Sequence, residues 1–154
     1  AIFPGSFDPF TVGHQQIVEQ ALPLFDKIII ALGHSLSKSS LLSIEDRLKA
    51  LRETYAGDKR IEAASFQGLV VNYAKARGAG YLIRGLRSAA DFEYELPMTH
   101  TNRVLSPDLQ TLFFATAPEL AFISSTLVRE VATKGGDFKP FVPKAFHAIL
   151  GVTK

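Results

Sequence analysis

The chain has 154 residues, 47% hydrophobic and 21% charged, with a formal net charge of +2. That length and balance fit one ordinary domain with a real core and exclude collagen-like, disordered and disulfide-framework readings. The absence of cysteine excludes thiol redox chemistry, cysteine nucleophiles and thiolate zinc sites, and so mild a charge argues against a general nucleic-acid binder.

The predicted elements alternate between strand and helix. Ala1–Phe3 is a short apolar strand end that stops at Pro4-Gly5. Ile17, Val18, Leu22 and Phe25 mark one face of a helix from about Gly13 to Leu24. Lys27–Leu32 is a β-branched, almost wholly apolar run, as in a buried parallel strand. Ser43 caps a helix that runs to about Tyr55, with Asp46 standing where a capping box usually has Glu or Gln. Arg60–Ala64 follows as a strand and Leu69–Lys75 as a helix ended by Gly78 and Gly80. Tyr81–Ile83 is a short strand. Ala89–Val104 is a helix that Pro97 must kink or interrupt. Gln110–Ala115 is a fifth strand, Ser125–Lys134 a helix closed by Gly135-Gly136, and Pro143–Leu150 a last short helix.

Five strands separated by helices predict an α/β fold: a single doubly wound, Rossmann-like domain with a predominantly parallel five-stranded sheet. The rival is an α+β fold with antiparallel pairs. No repeat, low-complexity tract or long polar linker marks a second domain over 1–154. No apolar run reaches the roughly 18 residues of a spanning helix, so no membrane partner is expected. The chain opens Ala-Ile-Phe-Pro-Gly without a signal-peptide pattern, and its start without methionine suggests residues missing before Ala1. A cytoplasmic address is expected.

In an open parallel sheet, ligands bind beyond the carboxyl ends of the strands, so the strand-to-helix junctions are where chemistry sits. The first junction runs from Pro4 through Gly5, Ser6, Phe7, Asp8, Pro9, Phe10, Thr11, Val12 and Gly13 to His14. Free N–H groups and positive potential at a helix start favour phosphate, and His14 is placed to donate to a phosphoryl oxygen. An ordinary turn, with Ser6 and Thr11 capping backbone and His14 on the surface, reads the same way. Neither a Walker A loop nor the dinucleotide-binding glycine pattern occurs here. The fourth junction, Ile83-Arg84-Gly85-Leu86-Arg87, offers two arginine forks suited to phosphate. Gly85 permits close approach of backbone and ligand. Solvated arginines, or ion pairs to Asp91 and Glu95, are the plainer alternative. Those two carboxylates lie four apart on one helical face and orient the arginines rather than act as bases. The fifth junction, Ile123-Ser124-Ser125-Thr126, caps a helix and forms a second anion site in prospect. Lys38, in the polar Ser37–Ser40 loop, either closes over phosphate or is simply solvated. The histidines His14, His34, His100 and His147 are scattered, with no zinc-ligand spacing, so no protein metal site is expected.

Taken together, Pro4-Gly5-Ser6-Phe7-Asp8-Pro9 with Thr11-Val-Gly-His14, and Ile123-Ser124-Ser125-Thr126, resemble the nucleotidyltransferases of the T/H-x-G-H group. Ile83–Arg87, then Asp91-Phe92-Glu93-Tyr94-Glu95 and Asn102, narrow the resemblance to bacterial phosphopantetheine adenylyltransferases, over nearly the whole chain. The resemblance implies adenylyl transfer from ATP to 4′-phosphopantetheine, giving dephospho-CoA and pyrophosphate with Mg²⁺. It also implies a homohexamer, with CoA as feedback inhibitor. Carried over by position, it gives catalytic roles to His14 at the α-phosphoryl group, Lys38 bridging the phosphates and Arg87 near the ATP phosphates. Ser6 and Arg84 then handle the acceptor phosphate, with Val70 and Asn102 in the acceptor pocket. Phe7, Gly85, Asp91, Glu95, Ser124, Ser125 and Thr126 surround the nucleotide, and Tyr94 supports that shell. The reaction implied is direct in-line displacement, since a phosphate nucleophile is already ionised and needs alignment more than a base. Gly68, Val70 and Pro97 depart from the usual pattern and bear on the acceptor channel or an oligomer contact. Two other functions remain: a small nucleotidyltransferase with a different phosphorylated acceptor, and a non-catalytic ATP- or CoA-binding regulator.

Overall fold

The structure, a computed structural model, describes residues 1–34 and 40–151. Its five strands are β1 (Ile2–Gly5), β2 (Ile28–Gly33), β3 (Ile61–Phe66), β4 (Tyr81–Leu86) and β5 (Gln110–Ala115). They form one sheet in the order β3-β2-β1-β4-β5, every pairing parallel. The helices are α1 (Val12–Ala21), α2 (Ile44–Thr54), α3 (Val70–Ala76), α4 (Ala89–Leu105), α5 (Ser125–Thr133) and α6 (His147–Gly151). This is the doubly wound α/β arrangement; the antiparallel rival is excluded. No helix among the described residues is long and apolar enough to cross a membrane.

The alternation of strand side chains builds a core on each face of the sheet. Phe3, Ile28, Ile30, Leu32 and Ile83 point into the larger core with Ile17, Val18, Val128 and Phe146. Their neighbours Ile2, Ile29, Ala31 and Leu82 point the other way, against Val71 and Ala74 of α3.

The chain begins in the middle of the sheet, builds outward through β2 and β3, then crosses to β4 and β5. β1 therefore lies at the point where the winding reverses, and there the sheet opens. β1 pairs with β2 over Ile2–Gly5, but with β4 only at Ile2 and Leu82. Pro4 stands just past that pair and has no N–H to continue a ladder. The crevice so formed is the place where this architecture binds ligands.

Several boundaries differ from the sequence reading. β1, β3 and β4 each run two or three residues further, because the ladder outlasts the apolar run. Arg84, Gly85 and Leu86 pair with Phe113, Phe114 and Ala115, so Arg84 and Gly85 are strand residues rather than loop residues. The first helix gives way to a 3₁₀ turn at Leu22–Leu24, where Pro23 removes a donor. The last splits into a 3₁₀ turn, Lys144–Phe146, and α6. α4 runs unbroken through Pro97. Pro97 and Glu93, four residues before it, are both exposed, so the missing hydrogen bond falls on a solvent-facing stretch of the helix.

Candidate active site

A cleft of about 410 Å³ opens at the carboxyl ends of β1 and β4, facing the N-termini of α1 and α5. Its floor is the turn after β1. Phe7 takes φ +46°, a left-handed conformation rare for a bulky side chain. Gly5 makes it possible: a Cβ there would meet the Phe7 ring at 2.7 Å. The Phe7 ring packs edge-on against Phe3 and His14, with ring centres 5.0 and 5.1 Å away.

Contacts from three directions hold this turn. The buried Asp8 carboxylate accepts the N–H groups of Leu41 and Leu42 at 2.8 and 2.9 Å. Arg47, on α2, donates to the Ser6 carbonyl at 2.5 Å. From α5, Ser125 Oγ donates to the Pro9 carbonyl at 2.8 Å and Arg129 to the Asp8 carbonyl at 2.6 Å.

His14 sits at the third position of α1. Thr11 caps the helix, its hydroxyl accepting the His14 N–H at 3.3 Å. The imidazole takes the part that Glu plays in an ordinary capping box: Nδ1 accepts the Thr11 backbone N–H at 3.0 Å. Since Nδ1 accepts, the proton of the neutral ring lies on Nε2. Burial, then the charges of Arg87 and Arg84, push the His14 pKa down to about 4. Near neutrality His14 is an uncharged donor, and Nε2 has no partner among the described residues.

The two arginines of the fourth junction differ. Arg84 is fixed within the protein. Nε donates to Glu95 Oε2 at 2.8 Å, Nη2 to Glu95 Oε1, and Nη1 to the Pro4 carbonyl at 2.8 Å. Arg87 is held by Asp91 at 3.0 Å through both Nε and Nη2, but its side chain is 41% exposed. Those hydrogen bonds from Arg87 hold the Asp91 carboxyl below its ordinary range. The ion pairs that the sequence offered as the plainer alternative are therefore both present, and both arginines still line the cleft.

At the far wall Ser124 caps α5, its hydroxyl accepting the Leu127 N–H at 3.1 Å. Thr126 Oγ1 accepts from Arg129 Nη2 at 3.0 Å. Both hydroxyl protons remain to be donated.

The cleft gathers most of the residues singled out from the sequence. Ser6, Phe7 and His14 come from the first junction, and Arg84, Gly85 and Arg87 from β4 and its exit. α4 contributes Asp91, Tyr94 and Glu95, and α5 contributes Ser124, Ser125 and Thr126. Gly85 allows a close approach, but the one seen is that of α1: a Cβ there would meet Ile17 at 3.0 Å. Val70 begins α3 and packs with the smaller core, and Asn102 lies near the end of α4; neither lines this cleft. Lys38 lies outside the described residues. Asp8, Thr11, Arg47 and Arg129 line the cleft without having been singled out as site residues. Arg129 was findable one turn after Ser125 on the capped helix. Arg47 left no signal, because a lone arginine in an amphipathic helix reads as solvated.

The sequence matches the Cytidylyltransferase-like family over residues 2–131, a span that includes every junction described above. It is 46% identical over 145 residues to the phosphopantetheine adenylyltransferase of Flavobacterium psychrophilum, covering 94% of this chain and 95% of that one. The chain belongs to the phosphopantetheine adenylyltransferase family. Another member, from Trichodesmium erythraeum, is 49% identical over 154 residues, all of this chain and 90% of its own. Among solved structures, a bifunctional NMN adenylyltransferase/ADP ribose pyrophosphatase from Francisella tularensis superposes with a TM-score of 0.68 at 15% identity. The match covers 92% of this chain but 44% of that one, so it speaks to the fold alone. A phosphopantetheine adenylyltransferase must hold two phosphorylated molecules side by side. The cleft suits that demand, with four arginines against three carboxylates on its walls.

Proposed function

We propose that the cleft at the β1–β4 opening transfers the adenylyl group of ATP to 4′-phosphopantetheine, forming dephospho-CoA and releasing pyrophosphate. Family membership supplies the reaction. The observation that carries the site is His14: a neutral imidazole with its Nε2–H uncommitted, beside Arg84 and Arg87. An acceptor phosphate oxygen attacks the α-phosphorus, the bond from that phosphorus to the bridging oxygen breaks, and pyrophosphate leaves with the electron pair. The nucleophile is ionised near neutrality, so no base is required. His14 donates a hydrogen bond to the α-phosphoryl oxygen as charge builds there, with no covalent intermediate. Arg87 and the Ser124–Thr126 turn take the remaining ATP phosphates. Ser6 and Arg84 place the acceptor phosphate, Lys38 bridges the two substrates, and Val70 and Asn102 border the acceptor's arm. Phe7 and Gly85 flank the nucleotide, and Asp91 and Glu95 set the arginines.

Mg²⁺ belongs to this reading as a companion of ATP. The carboxylates of the cleft are already engaged: Asp8 by two backbone N–H groups, Asp91 by Arg87, Glu95 by Arg84. The ion would be held by nucleotide phosphates and water, and no step is assigned to it.

The reading extends to residues 1–154 as one nucleotidyltransferase domain, cytoplasmic because it draws on cellular ATP, and to CoA as a feedback inhibitor. It extends also to a homohexamer; the exposed Phe92, Met98, Val104 and Leu105 of α4 support self-association without fixing the number of copies. The deciding experiment is a coupled pyrophosphate assay with ATP, Mg²⁺ and 4′-phosphopantetheine, with dephospho-CoA confirmed by mass. A saturable signal that needs all three is expected. Turnover with another phosphorylated acceptor instead, or ATP binding with no pyrophosphate, would overturn the assignment.

A further inference from the structure

Arg47 is 3% exposed, and no carboxylate of the described residues lies within ion-pair distance of it. Its guanidinium is spent on neutral oxygens: Nε on the Ser43 carbonyl at 3.2 Å, Nη2 on the Ser40 hydroxyl at 3.4 Å and Nη1 on the Ser6 carbonyl at 2.5 Å. A buried charge with no direct ion pair, attracted only at longer range by Asp8 and Glu45, is a poor way to stabilise a helix face, and the other buried positions of α2, Ala50 and Leu51, are apolar. What Arg47 does that an apolar side chain cannot is grip the Ser6 carbonyl from 41 residues away. That carbonyl belongs to the peptide entering Phe7, the residue at φ +46°. The grip falls where the turn is least comfortable and Ser6 meets the cleft.

We infer that Arg47 is a positioning residue for the reaction: from α2 it fixes the Ser6–Phe7 peptide, and thereby the site at which Ser6 receives the acceptor phosphate. Its side chain borders the cleft, but the role assigned to it runs through the Ser6 carbonyl. The inference rests on the reading above that Ser6 handles the acceptor.

The test is a kinetic cycle on the full chain with Ser6→Ala, Arg47→Lys and the double variant. A lysine ammonium on a flexible stem cannot hold three divergent oxygens at once. Arg47→Lys is expected to raise KM for 4′-phosphopantetheine about tenfold, the scale of losing a charged hydrogen bond that sets geometry. KM for ATP should stay within about twofold, a split that general loosening of the fold would not produce. Adding Arg47→Lys to Ser6→Ala should cost little more, because both act through one peptide. Multiplicative losses in the double variant, or equal rises in both KM values, overturn the inference alone. An unchanged acceptor KM in Ser6→Ala overturns the reading of Ser6, and this inference with it. Arg47→Gln, which keeps two donors without the charge, is the second variant. If neither Arg47 variant recovers a native circular dichroism spectrum, Arg47 is a folding residue and the inference is overturned.

Discussion

Arg84 Nη1 donates to the Pro4 carbonyl oxygen at 2.8 Å, across the gap where β1 and β4 part. The two residues explain each other. Pro4 has no N–H, so a central strand that should pair on both sides stops pairing with β4. The guanidinium of Arg84 occupies the breach, taking the orphaned carbonyl with one nitrogen and Glu95 with two others. The opening of the crevice and the cation that lines it thus both trace to one proline in the middle of the sheet.

Removing Arg84 should therefore cost stability as well as function. The side chains of Arg84 and Glu95 are 26% and 11% exposed, so Arg84→Ala strands a nearly buried carboxylate. A loss of about 3 kcal/mol is expected, the scale for breaking a buried pair. Adding Glu95→Gln should return part of it. Urea unfolding of the single and double variants checks this. On the functional side, binding of 4′-phosphopantetheine should fail in calorimetry while ATP binding persists. A selective ATP defect would reverse the role given to Arg84.

Arg87→Ala should behave in the opposite way. Its partner Asp91 is an i,i+4 neighbour, and the pair is 41% and 26% exposed. Such a pair contributes less than about 1 kcal/mol. The unfolding midpoint should barely move, whereas KM for ATP should rise at least about tenfold, as when a phosphate loses a charged hydrogen bond. A large stability loss with normal ATP handling would mean that Arg87 only anchors α4.

His14 makes a pH prediction whose sign is fixed. Its pKa is pushed down to about 4 in the folded chain, against an ordinary value of 6.5. As pH falls below about 6.5 the unfolded chain takes up a proton that the folded chain refuses. Stability should fall through that window and level off below about pH 4, the slope approaching about 1.4 kcal/mol per pH unit for one proton. Measured against pH, the difference in unfolding free energy between the parent and His14→Gln should show this slope. Equal pH profiles would show that the imidazole is solvated.

The same residue should split binding from chemistry. A donor that meets charge only as it develops stabilises the transition state more than the bound substrate. His14→Ala should lower kcat by about 10²–10³, the cost of one such donor, and change the Kd for ATP by less than about threefold. Loss of ATP affinity with kcat unchanged would make His14 a binding residue only.

The wound sheet was legible because short apolar runs, clearest in the β-branched Ile28–Leu32, alternate with helix signals such as the Ser43 cap. Most of the cleft-lining residues singled out were legible because they cluster at strand-to-helix junctions. Less legible was anything set by the ladder or by distant contacts. β4 looked three residues shorter because Arg84 and Gly85 do not read as strand, yet pairing with Phe113 and Phe114 holds them extended. Pro97 looked like a break, but an exposed helix face tolerates it. Arg47 and Asp8 reach 41 and more than 30 residues along the chain, and no local pattern encodes such a reach. Sequence supplied the chemical groups; the cross-chain grips that aim them needed the fold.

Gly5→Ala offers a test of that aiming with a single methyl. Gly5 touches no catalytic group, but its added Cβ would lie 2.7 Å from the Phe7 ring, closer than any real contact. The ring cannot retreat freely, because Phe3, Phe10 and His14 surround it at ring-centre distances of 5.0, 5.3 and 5.1 Å. Overpacking of this kind costs about 1–3 kcal/mol. Part of the displacement should pass to His14, which is only partly buried, whereas Phe3 and Phe10 are fully packed in. Gly5→Ala should therefore lower the unfolding free energy by that amount, reduce kcat by about tenfold or more, since small misplacements of reacting groups are costly, and shift the His14 imidazole resonances. Loss of stability with kcat and the His14 resonances unchanged would show that Phe7 yields toward the core, and that the turn, not the ring stack, holds His14 in place.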